Sequence, residues 1–316
     1  MNDRYDHMYL AATKYYAQGE TMETIARSLG MSRSSVSRLL AEARESGLVR
    51  ISISDASGAQ SPLARALSDA FGVRVHLVPV RSTSHVLSRF DQVAQRGAGL
   101  LAEAVGDSMF VGVAWGVTMA SLARHLPHRP VADTTIVQMN GGANQRTSGI
   151  PYIREILQSI GDAFDSEVVL FPVPAFFDYP ETKRAMWRER SVRHVLDLLE
   201  HLDVAVFGVG SMTGEVPSHV YASGYIEPSE REALIADGIV GDICTVLLRE
   251  DGSYADIAAN ARATGLTPAE LARVPRRICV VADPQRSPAI VAALRAGVVT
   301  DLVTDEVTAR ATLRRL

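Results

Sequence analysis

From Ser61 to the C-terminus, short aliphatic and β-branched runs alternate with amphipathic stretches of helical period. The pattern predicts strands over 73–80, 107–114, 134–139, 168–171, 203–207, 243–248, 277–281 and 298–303. It predicts helices over 117–126, 150–160, 191–201, 228–237, 287–295 and 306–313. A further helix opens at Ser61-Pro62, where proline's missing N–H costs nothing, carries Leu63, Ala66, Leu67 and Ala70 on one face, and stops at Gly72. Continuous apolar strands interleaved with helices imply an α/β fold with a mainly parallel sheet covered on both faces. Such sheets bind ligands at the carboxyl ends of their strands. With 316 residues, the chain is long enough for two domains.

The N-terminal segment lacks this alternation. Met8, Ala11, Ala12 and Tyr15 mark one helical face, and Met22, Ile25, Ala26 and Leu29 mark a second, opened by Thr21. Gly30 follows, where a left-handed backbone can stop a helix. Ser32 then caps a third helix with Val36, Leu39, Leu40 and Ala43 on its apolar face. Two short helices joined through a glycine turn read as a helix-turn-helix. The opposite face of the second helix carries Arg33, Ser34, Ser37 and Arg38, with Ser32 and Ser35 at its start and no carboxylate before Glu42. These donors suit base edges and phosphates in a DNA major groove. Past Gly47, Leu48–Ile53 alternates like a wing strand and brings Arg50 towards the backbone phosphates together with Arg44. The expected division is residues 1–54 for DNA binding, 55–60 as linker and 61–316 as an effector-binding and oligomerisation domain.

Net charge is −4, so no global basic field exists. Residues 1–54 hold seven Arg or Lys against six acids, leaving 25 basic against 30 acidic residues beyond. A footprint this small implies an oligomer that multiplies phosphate contacts. Cys244 and Cys279 each lie in an apolar run and read as buried, reduced thiols, with no metal-ligand spacing around either. The eight His residues form no metal or catalytic pattern. The polar start Met1-Asn2-Asp3-Arg4 does not read as a signal peptide. The longest apolar run, Val168–Phe177, contains Pro172 and Pro174 and is too short to span a bilayer. A cytoplasmic location is expected, with no cofactor and no metal.

Three predicted strands end in glycine turns: Trp115-Gly116-Val117-Thr118, Asn140-Gly141-Gly142 and Gly208-Val209-Gly210-Ser211. The first runs into a helix, whose free N–H groups and Thr118 hydroxyl outline an anion cradle. Asp242 heads a predicted strand, Arg262 lies in a loop after Asp256 with Asn260, and Arg286 precedes a helix. The expected effector-binding set is therefore Trp115, Gly116, Thr118, Gly141, Gly142, Gly208, Gly210, Ser211, Asp242, Arg262 and Arg286.

The whole chain resembles the SorC family of bacterial sugar-responsive transcriptional regulators. The resemblance is carried by Ile25–Leu40, Gly112-Val113-Ala114-Trp115-Gly116-Val117-Thr118, Gly241-Asp242-Ile243-Cys244 and Leu302-Val303-Thr304-Asp305-Glu306. It implies an effector domain similar to ribose-5-phosphate isomerase and glucosamine-6-phosphate deaminase, a phosphorylated sugar as effector, operator DNA as partner and a homotetramer. The family's glycine turn with threonine falls at Gly116 and Thr118. A family lysine falls at Arg286, which keeps the charge, changes its geometry and removes amine chemistry. Val117 stands where Arg or Lys is common, which weakens the phosphate case and keeps a neutral sugar or polyol open. The expectation is a non-enzymatic, DNA-binding regulator of a carbohydrate-utilisation operon, controlled by a sugar phosphate, sugar or polyol. The alternative is an isomerase- or deaminase-like enzyme with an accessory DNA-binding domain. An enzyme needs a matched acid and base, and the sequence offers no such pair.

Overall fold

A computed structural model describes residues 3–49, 61–80, 85–144, 148, 150–215, 218–222 and 224–316. The chain forms two compact units, Met1–Ala59 and Gln60–Leu316. The expected wing beyond Val49, with Arg50, and the linker 55–60 lie outside the described residues.

In the first unit α1 (Asp3–Ala12) continues through a π-helical turn, Thr13–Ala17, and is followed by α2 (Met22–Ser28) and α3 (Arg33–Glu45). Thr21 and Ser32 cap α2 and α3 as their sequence positions require, accepting from the N–H of Thr24 at 3.2 Å and Ser35 at 3.1 Å. Gly30 takes φ +62°, and the Met31 N–H turns back to Ala26 O at 3.0 Å to close α2. Met8, Ala11, Ile25, Val36, Leu40 and Ala43 form the buried core. Arg4 on α1 reaches Glu42 on α3 at 2.9 Å, an exposed pair of small energetic value.

The second unit opens with α4 (Pro62–Phe71), β1 (Arg74–Val78), α5 (Val86–Ala104), β2 (Phe110–Val113), α6 (Val117–His125) and β3 (Thr135–Gln138). It continues with α7 (Ile150–Phe164), β4 (Glu167–Val169), α8 (Pro180–Met186), α9 (Arg190–Leu199), β5 (Val204–Phe207), β6 (Gly210–Ser211), α10 (His219–Ala222) and α11 (Pro228–Ala236). It closes with β7 (Ile239–Ile243), β8 (Val246–Arg249), α12 (Pro268–Leu271), β9 (Arg276–Val280), α13 (Ser287–Arg295), β10 (Asp301–Asp305) and α14 (Glu306–Leu313). Seven strands form one parallel sheet in the order β1-β10-β9-β5-β2-β3-β4. This is the mainly parallel α/β sheet that the alternation predicts.

Successive strand residues feed two apolar layers. Val204 and Val206 of β5, Ile278 and Val280 of β9 and Val303 of β10 face one layer; Ala205, Phe207, Cys279 and Leu302 face the other. Burial of a leucine or phenylalanine in such a layer stabilises by roughly 1.5–3 kcal/mol. α5 has no place in the strand–helix alternation read from the sequence. It packs closely because residue 97 is glycine: a Cβ there would stand 2.8 Å from Val280 Cγ2.

The expected strand 243–248 is instead a hairpin. β7 and β8 run antiparallel and form a second sheet, β6-β7-β8. Cys244 and Thr245 make its two-residue turn at φ +48° and +71°, the type I′ signs. Asp242 is therefore inside strand β7 rather than at the head of a strand.

Candidate effector-binding site

The carboxyl ends of β2, β3 and β5 face the β7–β8 turn, α10 and the start of α13 across a cleft of about 560 Å³, open solvent included. Its lining takes in Trp115, Gly116, Thr118, Gly208, Gly210, Asp242 and Arg286 of the expected set, together with Val117. Gly116 caps α6 with φ +144°, a conformation that favours glycine, and no side chain caps the helix there. The first N–H groups of α6 have no intrahelical acceptor and can receive an anion. Gly208 leaves room for Thr118, since a Cβ there would approach Thr118 Oγ1 to 3.2 Å. Trp115 is buried, and its indole N–H donates to Asn140 O at 3.1 Å and Gly141 O at 2.9 Å.

Four expected residues do not line the cleft. Gly141 and Gly142 meet the chain behind it: a Cβ on Gly141 would strike the Pro174 carbonyl, and one on Gly142 the Ile153 side chain. Ser211 turns its hydroxyl to Thr213, and its N–H donates to Ser218 Oγ at 2.9 Å. Arg262 pairs with Glu230 of α11. Asn260 is also structural, accepting from Leu247 N–H at 2.8 Å and donating to Leu247 O and Tyr254 O at 2.9 Å.

Arg286 is buried and committed to the protein. Its guanidinium donates to Val209 O at 2.7 Å and Ser218 Oγ at 3.1 Å, and stands 3.7 Å from Asp283. Burial lowers its pKa, against the opposing charges of Asp283 and Asp242. Asp242 is 4% exposed and accepts from Thr245 N–H at 3.0 Å through Oδ2. Burial pushes its carboxyl up to about 6, and the Tyr221 hydroxyl, the Thr245 N–H and Arg286 limit that rise. Its Oδ1, Tyr221 Oη and Asn140 Oδ1 are buried without a hydrogen-bond partner among the described residues.

Several lining residues fall outside the expected set: Asn140, Ser218, His219, Cys244 and Thr245. Only Asn140 could have been found, as the polar residue between a strand end and Gly141-Gly142. His219 stacks on Tyr152 at 5.0 Å, and burial lowers its pKa. Tyr225 donates to Gly142 O at 2.7 Å and packs on Trp115 at 5.2 Å. Burial of Cys244 pushes its thiol well up, so it stays protonated. Among the described residues no cluster of His, Cys, Asp and Glu could hold a metal ion, and no helix is long and apolar enough to cross a membrane.

A helix-turn-helix unit followed by a parallel α/β unit with a polar cleft at its strand ends defines a ligand-responsive DNA-binding protein. The family model described as "Putative sugar-binding domain" matches residues 57–314. The "Deoxyribonucleoside regulator" of Bacillus subtilis is 30% identical over 312 residues, covering 97% of this chain and 96% of the relative. The "Sorbitol operon regulator" of Klebsiella pneumoniae is 25% identical, covering 96% of each chain. A solved domain of "a possible sugar-binding transcriptional regulator" from Arthrobacter aurescens TC1 is 40% identical, with a TM-score of 0.75 over 82% of this chain and 99% of that one. Full-length SorC from Klebsiella pneumoniae shares the fold at 24% identity, with a TM-score of 0.76 over 99% of this chain and 100% of that one. The chain belongs to the SorC family of transcriptional regulators with a sugar-binding domain.

Proposed function

We propose that α3 reads operator DNA and that a sugar phosphate bound in the cleft sets whether it does so. On α3, Arg33, Ser34, Ser37, Arg38 and Arg44 are exposed, while Ser32 and Ser35 also serve the helix cap. In this reading Arg38 and Arg33 take base edges, and Arg44 and Arg50 take phosphates. The observation that carries the effector reading is convergence. Turns after three different strands, the β7 carboxylate and Arg286 just before α13 line one cleft. The phosphate is assigned to the Gly116–Thr118 turn, where N–H groups and a hydroxyl are offered and Arg286 adds positive charge.

The protein acts as a regulator rather than a catalyst, in keeping with relatives named as regulators. It works in the cytoplasm as a homotetramer, so that paired helix-turn-helix units meet operator half-sites. The test is thermal shift with matched sugars, with and without a terminal phosphate, on the parent and on Arg286→Ala. Stronger stabilisation by the phosphorylated partner, reduced in Arg286→Ala, supports the reading. Equal or better binding of the neutral sugar or polyol, unaffected by Arg286→Ala, refutes the phosphate assignment. Turnover of a sugar phosphate by the purified protein would refute the regulator assignment in favour of an enzyme.

A further inference from the structure

The cleft holds two acceptors with nothing to accept. Asn140 is 2% exposed and Asp242 4%, both line the cleft, and Oδ1 of each is buried without a hydrogen bond among the described residues. A buried polar atom left unmade costs on the order of 1–3 kcal/mol, so an unpaired acceptor in a ligand cleft marks a bond made elsewhere in the working cycle. Three of the donors nearby are already engaged, and a fourth, the Tyr221 hydroxyl, stands beside Asp242. The Trp115 N–H serves Asn140 O and Gly141 O, the Thr245 N–H serves Asp242 Oδ2, and Arg286 serves Val209 and Ser218. The glycine at 210 lets Asp242 lie flat, because a Cβ there would overlap its Oδ1.

We infer that Asn140 and Asp242 form a hydroxyl-reading subsite that takes the uncharged, polyhydroxy part of the effector and rejects a phosphate there. Two acceptors call for two O–H donors. A phosphate dianion would face a carboxylate and an amide oxygen with no hydrogen to share between them. A second cation is disfavoured because Arg286 already faces the Asp242 charge. Tyr221 Oη, buried beside Asp242 with no bond of its own, can close a chain from the ligand hydroxyl to the carboxylate. The assignment rests on the cleft being the effector site, and it makes Asn140 a specificity-determining residue.

The test uses the full-length protein with D-ribose 5-phosphate, D-sorbitol 6-phosphate, the same two compounds without phosphate, and inorganic phosphate. Dissociation constants are measured for the parent, Asn140→Leu, Asn140→Ala and Asp242→Asn, with melting temperature as the check on folding. Asn140→Leu removes an unsatisfied polar demand and Asp242→Asn removes a buried charge, so the unliganded variants are expected to melt no lower than the parent. Affinity for the best sugar phosphate falls at least tenfold in each variant. The factor gained by adding phosphate to the sugar stays constant, because the phosphate seats at the Gly116 turn. Parent-like affinity in a folded Asn140 variant overturns the subsite. So does a variant that loses the phosphate factor while keeping the neutral sugar. If the parent binds none of the probes, the cleft reading falls together with the subsite.

Discussion

Gly210 and Asp242 are direct partners across the antiparallel pair of β6 and β7, and a Cβ at 210 would stand 2.7 Å from the Asp242 carboxylate carbon. The glycine is therefore a condition for where the carboxylate sits. Gly210→Ala is expected to keep the fold at a cost of about 1–3 kcal/mol, the usual range for overpacking. It should displace Asp242 and lower effector affinity at least tenfold. A variant with parental affinity would show that the position of this carboxylate does not matter to binding.

The Asp242 carboxyl, pushed up to about 6 chiefly by burial, predicts a pH dependence of definite sign. Its folded pKa lies above the unfolded value of about 3.9, so between the two the native state binds more protons and stability falls as pH rises. The penalty is absent below about pH 4 and complete above about pH 6, of order 3 kcal/mol. Asp242→Asn escapes it, so its melting temperature should gain on the parent from pH 4 to pH 6.5 and then run parallel. A ligand hydroxyl donating to the carboxylate favours the ionised form, so parental affinity should rise with pH through this range. The opposite trend in either measurement counts against an ionisable Asp242 in the cleft.

Intrinsic fluorescence separates the cleft from the rest of the domain. Trp115 lines the cleft, whereas Trp187 packs between Phe171 at 5.7 Å and Phe177 at 6.0 Å, with Lys183 over its ring at 5.2 Å. Trp187→Phe should retain an effector-dependent emission change and Trp115→Phe should abolish it. The reverse pattern would move the effector site away from the β2 turn.

On α3, Arg38 is exposed and its one hydrogen bond given by the structure is a 3.5 Å contact with Ser35 Oγ. Arg38→Ala should leave stability within about 0.5 kcal/mol and weaken operator binding by about 1–3 kcal/mol if a base edge is read. Arg44→Ala should weaken specific and random DNA alike and reduce the salt slope by about one. Operator affinity in Arg38→Ala equal to the parent's at the same salt would refute the reading of this helix.

The parts of the fold legible in the sequence are those where local period and cap chemistry agree. Thr21, Ser32 and Ser61 cap the helices they precede, and apolar runs such as 204–207 are strands buried on both sides. α5 was not legible because its packing face is built partly from small residues, Ala94, Gly97 and Ala98, which carry little hydrophobic signal. The β7–β8 hairpin was hidden because Cys244-Thr245 lacks the Asn-Gly chemistry that announces a type I′ turn. In the cleft, glycine turns at strand ends pointed to the right end of the sheet. They did not separate Gly116, which faces the cleft, from Gly141, which packs against Pro174. No local signal could say that Arg262 is held by Glu230, or that Arg286 holds Val209 and Ser218.

Asp301 offers a test remote from the cleft. Its carboxylate is fully buried, bound by Arg74 at 2.9 and 2.6 Å, His76 at 3.0 Å and Thr300 at 2.9 Å. Burial alone would raise its pKa, but these hydrogen bonds and the Arg74 charge hold it well below the usual carboxylate range. The stabilisation is present above about pH 4 and is lost only as strong acid protonates the folded form. Asp301→Asn should cost about 2 kcal/mol at neutral pH, with the difference shrinking only below pH 4. Equal unfolding midpoints at pH 7 would refute it.

The pairing of β1 with β10, which Arg74 and Asp301 fasten, sets an order of events during synthesis. The first strand of the second unit has the last strand as its partner, more than two hundred residues downstream. While the ribosome is still translating, β1 waits unpaired, and α4 waits for α14. Among the described residues, the buried core of the first unit lies between Met8 and Ala43, so it can fold as it emerges. A nascent chain of this protein therefore carries a finished DNA-reading unit well before it carries a sensor. Chains cut short before residue 301 lose the partner of their own first strand, leaving an open sheet edge for quality control to find.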